Sequence, residues 1–132
     1  MTALQPAGIG TRLLVVDDDK PLQGLFTLLM KRAGFDVDCA CDGEQAMAML
    51  QERDYAAVIL DLMMPGKSGF DVLERLEREN PSLLTRIIVA SGASRVALER
   101  VDASLVHAVV RKPFDIDHLV SMAVDCARKS TC

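Results

Sequence analysis

Ala56-Ala57-Val58-Ile59-Leu60 is an unbroken apolar run that ends on Asp61. Its length suits a strand, and the lack of alternation implies cover on both faces. Three other stretches close in a similar way. Leu13-Leu14-Val15-Val16 runs into Asp17-Asp18-Asp19, Ile87-Ile88-Val89-Ala90 into Ser91, and Val109-Val110-Arg111 into Lys112 and Pro113. If these runs are parallel strands of one sheet, their last residues meet at its carboxyl edge, where open α/β sheets bind ligands. Carboxylates, a hydroxyl and an ammonium would then share one place. That mixture suits a hard metal ion and a phosphoryl group.

Helical patterns fill the intervals. Leu22, Leu25, Phe26, Leu29 and Ala33 form an amphipathic stripe, with Asp19 as N-cap, Pro21 in the first turn and Gly34 as stop. Phe35 to Ala40 alternates with Asp36 and Asp38, as in a strand near a sheet edge. Asp42 with Gln45 resembles a capping box for a helix to about Arg53 that buries Ala46, Met49 and Leu50. Pro65 and Gly66 break the chain, Ser68 with Asp71 caps a helix burying Val72, Leu73 and Leu76, and Pro81 ends that unit. Val96 to Val101 reads as a short, weak helix and Leu105 to Val110 as the fifth strand. Asp115 opens the last helix, with Ile116, Leu119, Val120, Ala123 and Ala127 on one stripe. Five strands alternating with five helices imply parallel βαβ units covered on both faces.

Composition sets the outer bounds. A chain of 132 residues holds one domain with a real core. With 15 basic and 19 acidic residues the net charge is -4, which gives no reason to expect direct nucleic-acid binding. The apolar runs are too short to span a membrane, and residues 1–10 lack the pattern of a signal peptide, so a cytoplasmic protein is expected. Cys39, Cys41, Cys126 and Cys132 match no zinc spacing. Cys39 and Cys41 point to one face but lie too far apart for an easy bridge, so inert reduced thiols are expected, with Cys132 open to oxidation between molecules. His118 reads as a surface residue, and His107 has no acidic neighbour in sequence.

Four pieces in this order resemble the receiver domain of two-component response regulators: Val16-Asp17-Asp18, Leu60-Asp61-Leu62-Met63-Met64-Pro65, Ala90-Ser91-Gly92 and Arg111-Lys112-Pro113-Phe114. The resemblance covers residues 11–129, leaving a flexible N-terminus at 1–10 and a tail at 130–132. It implies a flavodoxin-like doubly wound parallel sheet of strand order 2-1-3-4-5. It further implies that Asp61 is the phosphoacceptor, a carboxylate nucleophile that forms an acyl phosphate. Asp17, Asp18, Asp61 and the Met63 backbone carbonyl would hold Mg²⁺, while Asp19 caps the next helix. Lys112 would pair with the acceptor or its phosphoryl oxygen, across a cis bond to Pro113. Ser91 would donate its hydroxyl, and Gly92 would let the backbone come close.

The resemblance makes the chain a self-modifying signalling domain rather than a turnover enzyme. A histidine kinase or histidine phosphotransfer protein is the implied partner, and a homodimer on phosphorylation is allowed. The face formed by helix four, strand five and helix five would switch. Val109 stands where the family often carries a switch aromatic. Met63 and Ala93, at the two positions that tune dephosphorylation, cannot activate water, which implies slow self-hydrolysis.

Two other functions are open to the same residues. A receiver-like module could dock partners without phosphorylation. A haloacid-dehalogenase-type phosphatase would use the D-x-D within Asp17-Asp18-Asp19, but Lys112 is followed by Pro113-Phe114 rather than an acidic pair, and the chain is short for that fold. A nucleotide-binding Rossmann domain lacks its G-x-G-x-x-G. Nothing after Lys129 reads as an effector domain, which fits either a stand-alone receiver or a piece of a longer chain.

Overall fold

The computed structural model describes residues 12–64, 66 and 68–131. Residues 1–11 and Cys132 lie outside the described residues, and with them the expectations of a flexible N-terminus and an exposed terminal thiol. Five parallel strands stand in the order β2-β1-β3-β4-β5: β1 Arg12–Val16, β2 Asp36–Ala40, β3 Ala57–Leu60, β4 Ile87–Ser91 and β5 Ala108–Arg111. The helices are α1 Lys20–Arg32, α2 Gly43–Glu52, α3 Gly69–Glu79, α4 Arg95–Leu98 and α5 Ile116–Thr131. This is the flavodoxin-like order that the resemblance implied.

The uninterrupted apolar runs are the central strands. β1, β3 and β4 are buried almost throughout because helices cover both faces. Alternate side chains feed two cores. Leu14, Val16, Val58, Leu60, Ile87 and Val89 face α2 and α3. Leu13, Val15, Ala57, Ile59, Ile88 and Ala90 face α1 and α5. At the edge, β2 is less covered: Asp36 is exposed, Val37, Asp38 and Cys39 are half-buried, and Ala40 is buried. Asp38 accepts from the Tyr55 hydroxyl at 2.7 Å and from Arg12 at 3.3 Å, and Arg53 lies 3.7 Å away.

The caps act as their side chains suggest. Asp19 accepts from the Leu22 N–H at 3.1 Å, and Gly34, at φ 105°, takes the left-handed turn that ends α1. Ser68 and Asp71 form a complete capping box. At α2 the reciprocal bond is displaced by one residue: Asp42 accepts from Gln45 N–H at 2.9 Å, while the Gln45 side chain accepts from Cys41 N–H at 2.8 Å.

Several expectations shift. The buried stripe of α1 is Gln23, Phe26, Met30 and Ala33, while Leu25 is 43% exposed. Apolar residues occupy more than one face of this helix, and tertiary packing selects the stripe; Phe26 stacks on Phe114 at 5.9 Å. In α2, Met47 is buried with Ala46, and Met49 and Leu50 are only partly covered. Pro81 opens a 3₁₀ helix over Pro81–Arg86. α4 is one turn, Arg95–Leu98, and starts earlier than the sequence implies because Ser94 caps it at Ala97 N–H (3.1 Å). β5 begins at Ala108, not Leu105, because Asp102 holds a turn by accepting from Ser104 N–H at 3.0 Å. His107 meets an acid that its sequence neighbours do not reveal: Asp125 of α5, 3.5 Å from Nε2.

Candidate functional site

The carboxyl ends of β1, β3, β4 and β5 surround one open depression lined by Asp17, Asp18, Asp19, Asp61, Met63, Gly92 and Lys112. Parallel order causes this, since every strand releases its last residue on the same side. Asp61 follows β3, the central strand, and its N–H donates to Val16 O at 2.9 Å. Its carboxylate accepts from Met63 N–H at 3.2 Å. Asp17 N–H donates to Ala40 O at 3.1 Å, and Asp17 Oδ1 accepts from Asp19 N–H at 2.9 Å. Asp18 is exposed, whereas Asp17 and Asp61 are buried.

Lys112 is anchored by its N–H to Ser91 O at 2.8 Å, and its peptide bond to Pro113 is cis. Its ammonium lies 3.2 Å from Asp17 Oδ2 and 3.7 Å from Asp61 Oδ2. Ser91 is fully buried, with its Oγ accepting from Ala93 N–H at 3.1 Å. Burial pushes the Asp61 carboxyl above the usual carboxylate range, with the Asp17 charge adding to it. The Met63 N–H, the Lys112 ammonium and the Ser91 hydroxyl pull the other way without cancelling the rise.

The donor set suits a hard cation. Asp17, Asp18 and Asp61 each offer a carboxylate oxygen, and the three lie within 4.8 Å of one another. Asp19 lines the depression, but its carboxylate is engaged in capping α1. The expected acceptor, acidic pair, hydroxyl and lysine are thus brought together.

Two contributors were not read from the sequence. Gln23, 7% exposed, turns its amide inward from α1, donating to the backbone oxygens of Asp17 and, at 3.2 Å, Ala40. Its placement three and seven residues from Phe26 and Met30 was the available signal. Gly69 is the place where backbones crowd: a Cβ there would lie 2.3 Å from Asp61 O. At Gly92, where closeness was expected, a Cβ would meet only Lys112 Cδ at an ordinary 3.9 Å.

The response regulator receiver domain model matches residues 13–124. The chain belongs to the receiver domain family. This receiver is 34% identical over 110 residues to the transcriptional regulatory protein TcrA of Mycobacterium tuberculosis, covering 83% of this chain and 43% of that protein. It is 33% identical over 108 residues to the probable transcriptional regulatory protein TcrX of the same organism, covering 82% and 46%. The chain therefore spans less than half the length of these relatives. Among solved structures, the receiver domain of the Francisella response regulator 1452 superposes with a TM-score of 0.81 at 26% identity, covering 91% of this chain and 98% of that one. The response regulator TrrA of Thermotoga maritima, in complex with Mg²⁺-BeF, gives 0.76 at 28% identity, covering 88% and 98%. This receiver is thus a signalling domain of two-component response regulators. No helix among its described residues is long and apolar enough to cross a membrane.

Proposed function

We propose that this receiver takes a phosphoryl group onto Asp61 from a phosphohistidine presented by a histidine kinase or phosphotransfer protein. The supporting observation is the carboxylate of Asp61 at the end of the central strand, facing Asp17, Asp18 and the Lys112 ammonium. Asp61 attacks phosphorus in line, the P–O bond forming as the P–N bond breaks, and imidazole leaves. Lys112 neutralises phosphoryl oxygens, and Ser91 donates its hydroxyl once the group arrives. Asp17, Asp18, Asp61 and the Met63 carbonyl would hold Mg²⁺, which would supply further charge neutralisation; the TrrA complex with Mg²⁺-BeF supports this assignment. Met63 and Ala93 have no group able to activate water, so self-hydrolysis is slow. The reading places the domain in the cytoplasm, without direct nucleic-acid contact, and allows phosphorylation to favour a homodimer.

The direct test is incubation with a small phosphodonor followed by intact-mass measurement. One phosphoryl mass should appear with Mg²⁺ and fail to appear with chelator. A chain that gains no mass under either condition would leave a docking module that works without phosphorylation.

The metal assignment has its own consequence. Three clustered carboxylates repel at neutral pH, and an ion bound only by the folded state stabilises it. At ten times its dissociation constant Mg²⁺ should add about 1.4 kcal/mol, or roughly 3–6 °C in melting temperature. Asp18→Ala should remove that rise. An undiminished rise in Asp18→Ala places the ion elsewhere.

The switch is the third expectation. α4 is one turn, and β5 is only partly buried along its length. Elements that move come from the weakly held parts of a fold. Contact between the phosphoryl group and the Ser91 hydroxyl should draw in the segment after β4 and shift α4, β5 and α5. Val109 cannot report as an aromatic rotamer would, so the change should appear in the backbone. Amide exchange with beryllofluoride should change across residues 92–110 in the parent and less in Ser91→Ala. Equal responses would remove Ser91 from the switch.

A further inference from the structure

The ends of β4 and β5 that face away from Asp61 border a second depression, of about 450 Å³. Three nitrogen-bearing side chains line it: Arg86 from the 3₁₀ helix before β4, His107 from just before β5, and Lys129 from the last turn of α5. They lie far apart in the chain, and topology brings them together. β4 pairs with β5, His107 N–H donates to Ile87 O at 2.8 Å, and α5 packs against the 3₁₀ helix. Among the described residues no carboxylate lines the depression. In a chain of net charge -4 this is a local reversal of sign.

The nearby acids do not neutralise it. Asp125 of α5 meets two of the three groups through a single oxygen, Oδ2, 3.5 Å from His107 Nε2 and 3.4 Å from Lys129 Nζ. Lys129 and Asp125 are both exposed, and a surface pair of this kind holds weakly. Asp102, on the loop before β5, has its Oδ1 engaged by Ser104 N–H at 3.0 Å and by the Ser104 hydroxyl. Arg86 spends one of its several donors on Tyr55 O at 3.1 Å. The rest of the lining is hydroxyl and aliphatic. Ser82 and Thr85 donate to Asn80 Oδ1 at 3.1 Å and Ser82 O at 2.8 Å, and each hydroxyl can turn about one bond. Leu105, 38% exposed, and Val106 add an apolar patch.

We propose that this depression binds a small organic phosphate monoester, its phosphate on Arg86, His107 and Lys129 and its carbon portion against Leu105 and Val106. A planar guanidinium, an imidazole and an ammonium that come from three elements match an anion with several oxygens. A carboxylate offers two such oxygens and a phosphate monoester three. The apolar patch favours an ester over the bare ion, because carbon on the ester oxygen can leave water there. Arrival of the phosphate draws Lys129 from Asp125, which costs little at an exposed pair. The site lies at the opposite end of β4 and β5 from Ser91 and Lys112, so the assignment stands whether or not Asp61 is phosphorylated.

The test is amide NMR of the whole chain, titrated with phenyl phosphate in metal-free buffer at constant ionic strength. Signals of residues 85–86, 104–107 and 129 should shift together and saturate, while those of residues 17–19, 61–63 and 112 stay in place. Inorganic phosphate should move the same signals but bind roughly threefold more weakly, since it lacks the carbon portion. Lys129→Glu, at an exposed position, should weaken phenyl phosphate roughly tenfold. Asp125→Asn should act in the opposite direction, strengthening it roughly threefold by releasing Lys129 and His107. Signals that drift without saturating, shifts centred on Asp61 and Lys112, equal affinity for the two probes, or either variant binding as the parent does would each overturn the assignment.

Discussion

Asp61→Asn should take up no stable phosphoryl group from a small phosphodonor under conditions that label the parent fully. The amide lacks the anionic oxygen that attacks phosphorus, and no other described strand-end carboxylate is followed by the Met63-Met64 turn. The same variant should melt at a higher temperature than the parent at neutral pH. The sign follows from linkage. The folded-state pKa of Asp61 is raised, chiefly by burial. Such a group favours the fold below the ordinary carboxylate pKa and loses that contribution as pH rises through the raised value. At neutral pH the parent holds a charge that would be better solvated in the unfolded chain, and the neutral amide removes that cost. Intact mass and a pair of melting curves settle both halves. Full labelling at Asp17 would redirect the chemistry to the D-x-D of a phosphatase, and a lower melting temperature would mean that the carboxylate is better solvated in place than its burial indicates.

Gly69→Ala should damage the fold severely. The added Cβ would lie 2.3 Å from Asp61 O, 2.7 Å from Leu62 Cα and 3.0 Å from Asp61 C. All three are backbone atoms, so no side chain can rotate away. Relief requires α3 to retreat from the end of β3, breaking the bond from Gly69 N–H to Leu62 O at 3.2 Å. Overpacking of this kind costs about 3 kcal/mol, or roughly 10 °C for a domain of this size. Because the clash falls on the peptide that carries Asp61, labelling should also slow in whatever fraction stays folded. A variant that melts within a degree of the parent would show that the turn has slack.

Much of this was legible in the residues because several levels agreed. Unbroken apolar runs at β1, β3 and β4 named the buried strands, and the polar residue ending each run named the edge where the site forms. Ser68 with Asp71 and Asp19 alone marked helix starts that the structure keeps. What failed did so where local signals were ambiguous or long-range partners decided. α1 offers leucines on two faces, so only its packing on the sheet and on Phe114 could select Gln23, Phe26 and Met30. Leu105 to Val110 reads as strand until the Asp102 turn and the pairing partner Ile88 delay β5 to Ala108. Strand order came from family resemblance, since alternation alone permits several orders. The Gly69 contact and the inward amide of Gln23 depend on distances that spacing does not encode.

An open sheet has two margins, and the one at β2 bears on how these molecules behave when crowded. Its outer side presents backbone N–H and C=O groups that a further strand could pair with. Within five residues β2 carries Asp36 and Asp38, and its partner strand pairs Arg12 with the first of them in register. A second molecule adding its own β2 would bring two more aspartates to the same margin, at the spacing of neighbouring strands. Like charges so placed repel, and Asp38 has already committed its oxygens to Tyr55 and Arg12. The same two aspartates that mark an edge strand in the sequence therefore disfavour a further strand at that margin, by electrostatics rather than by a covering helix.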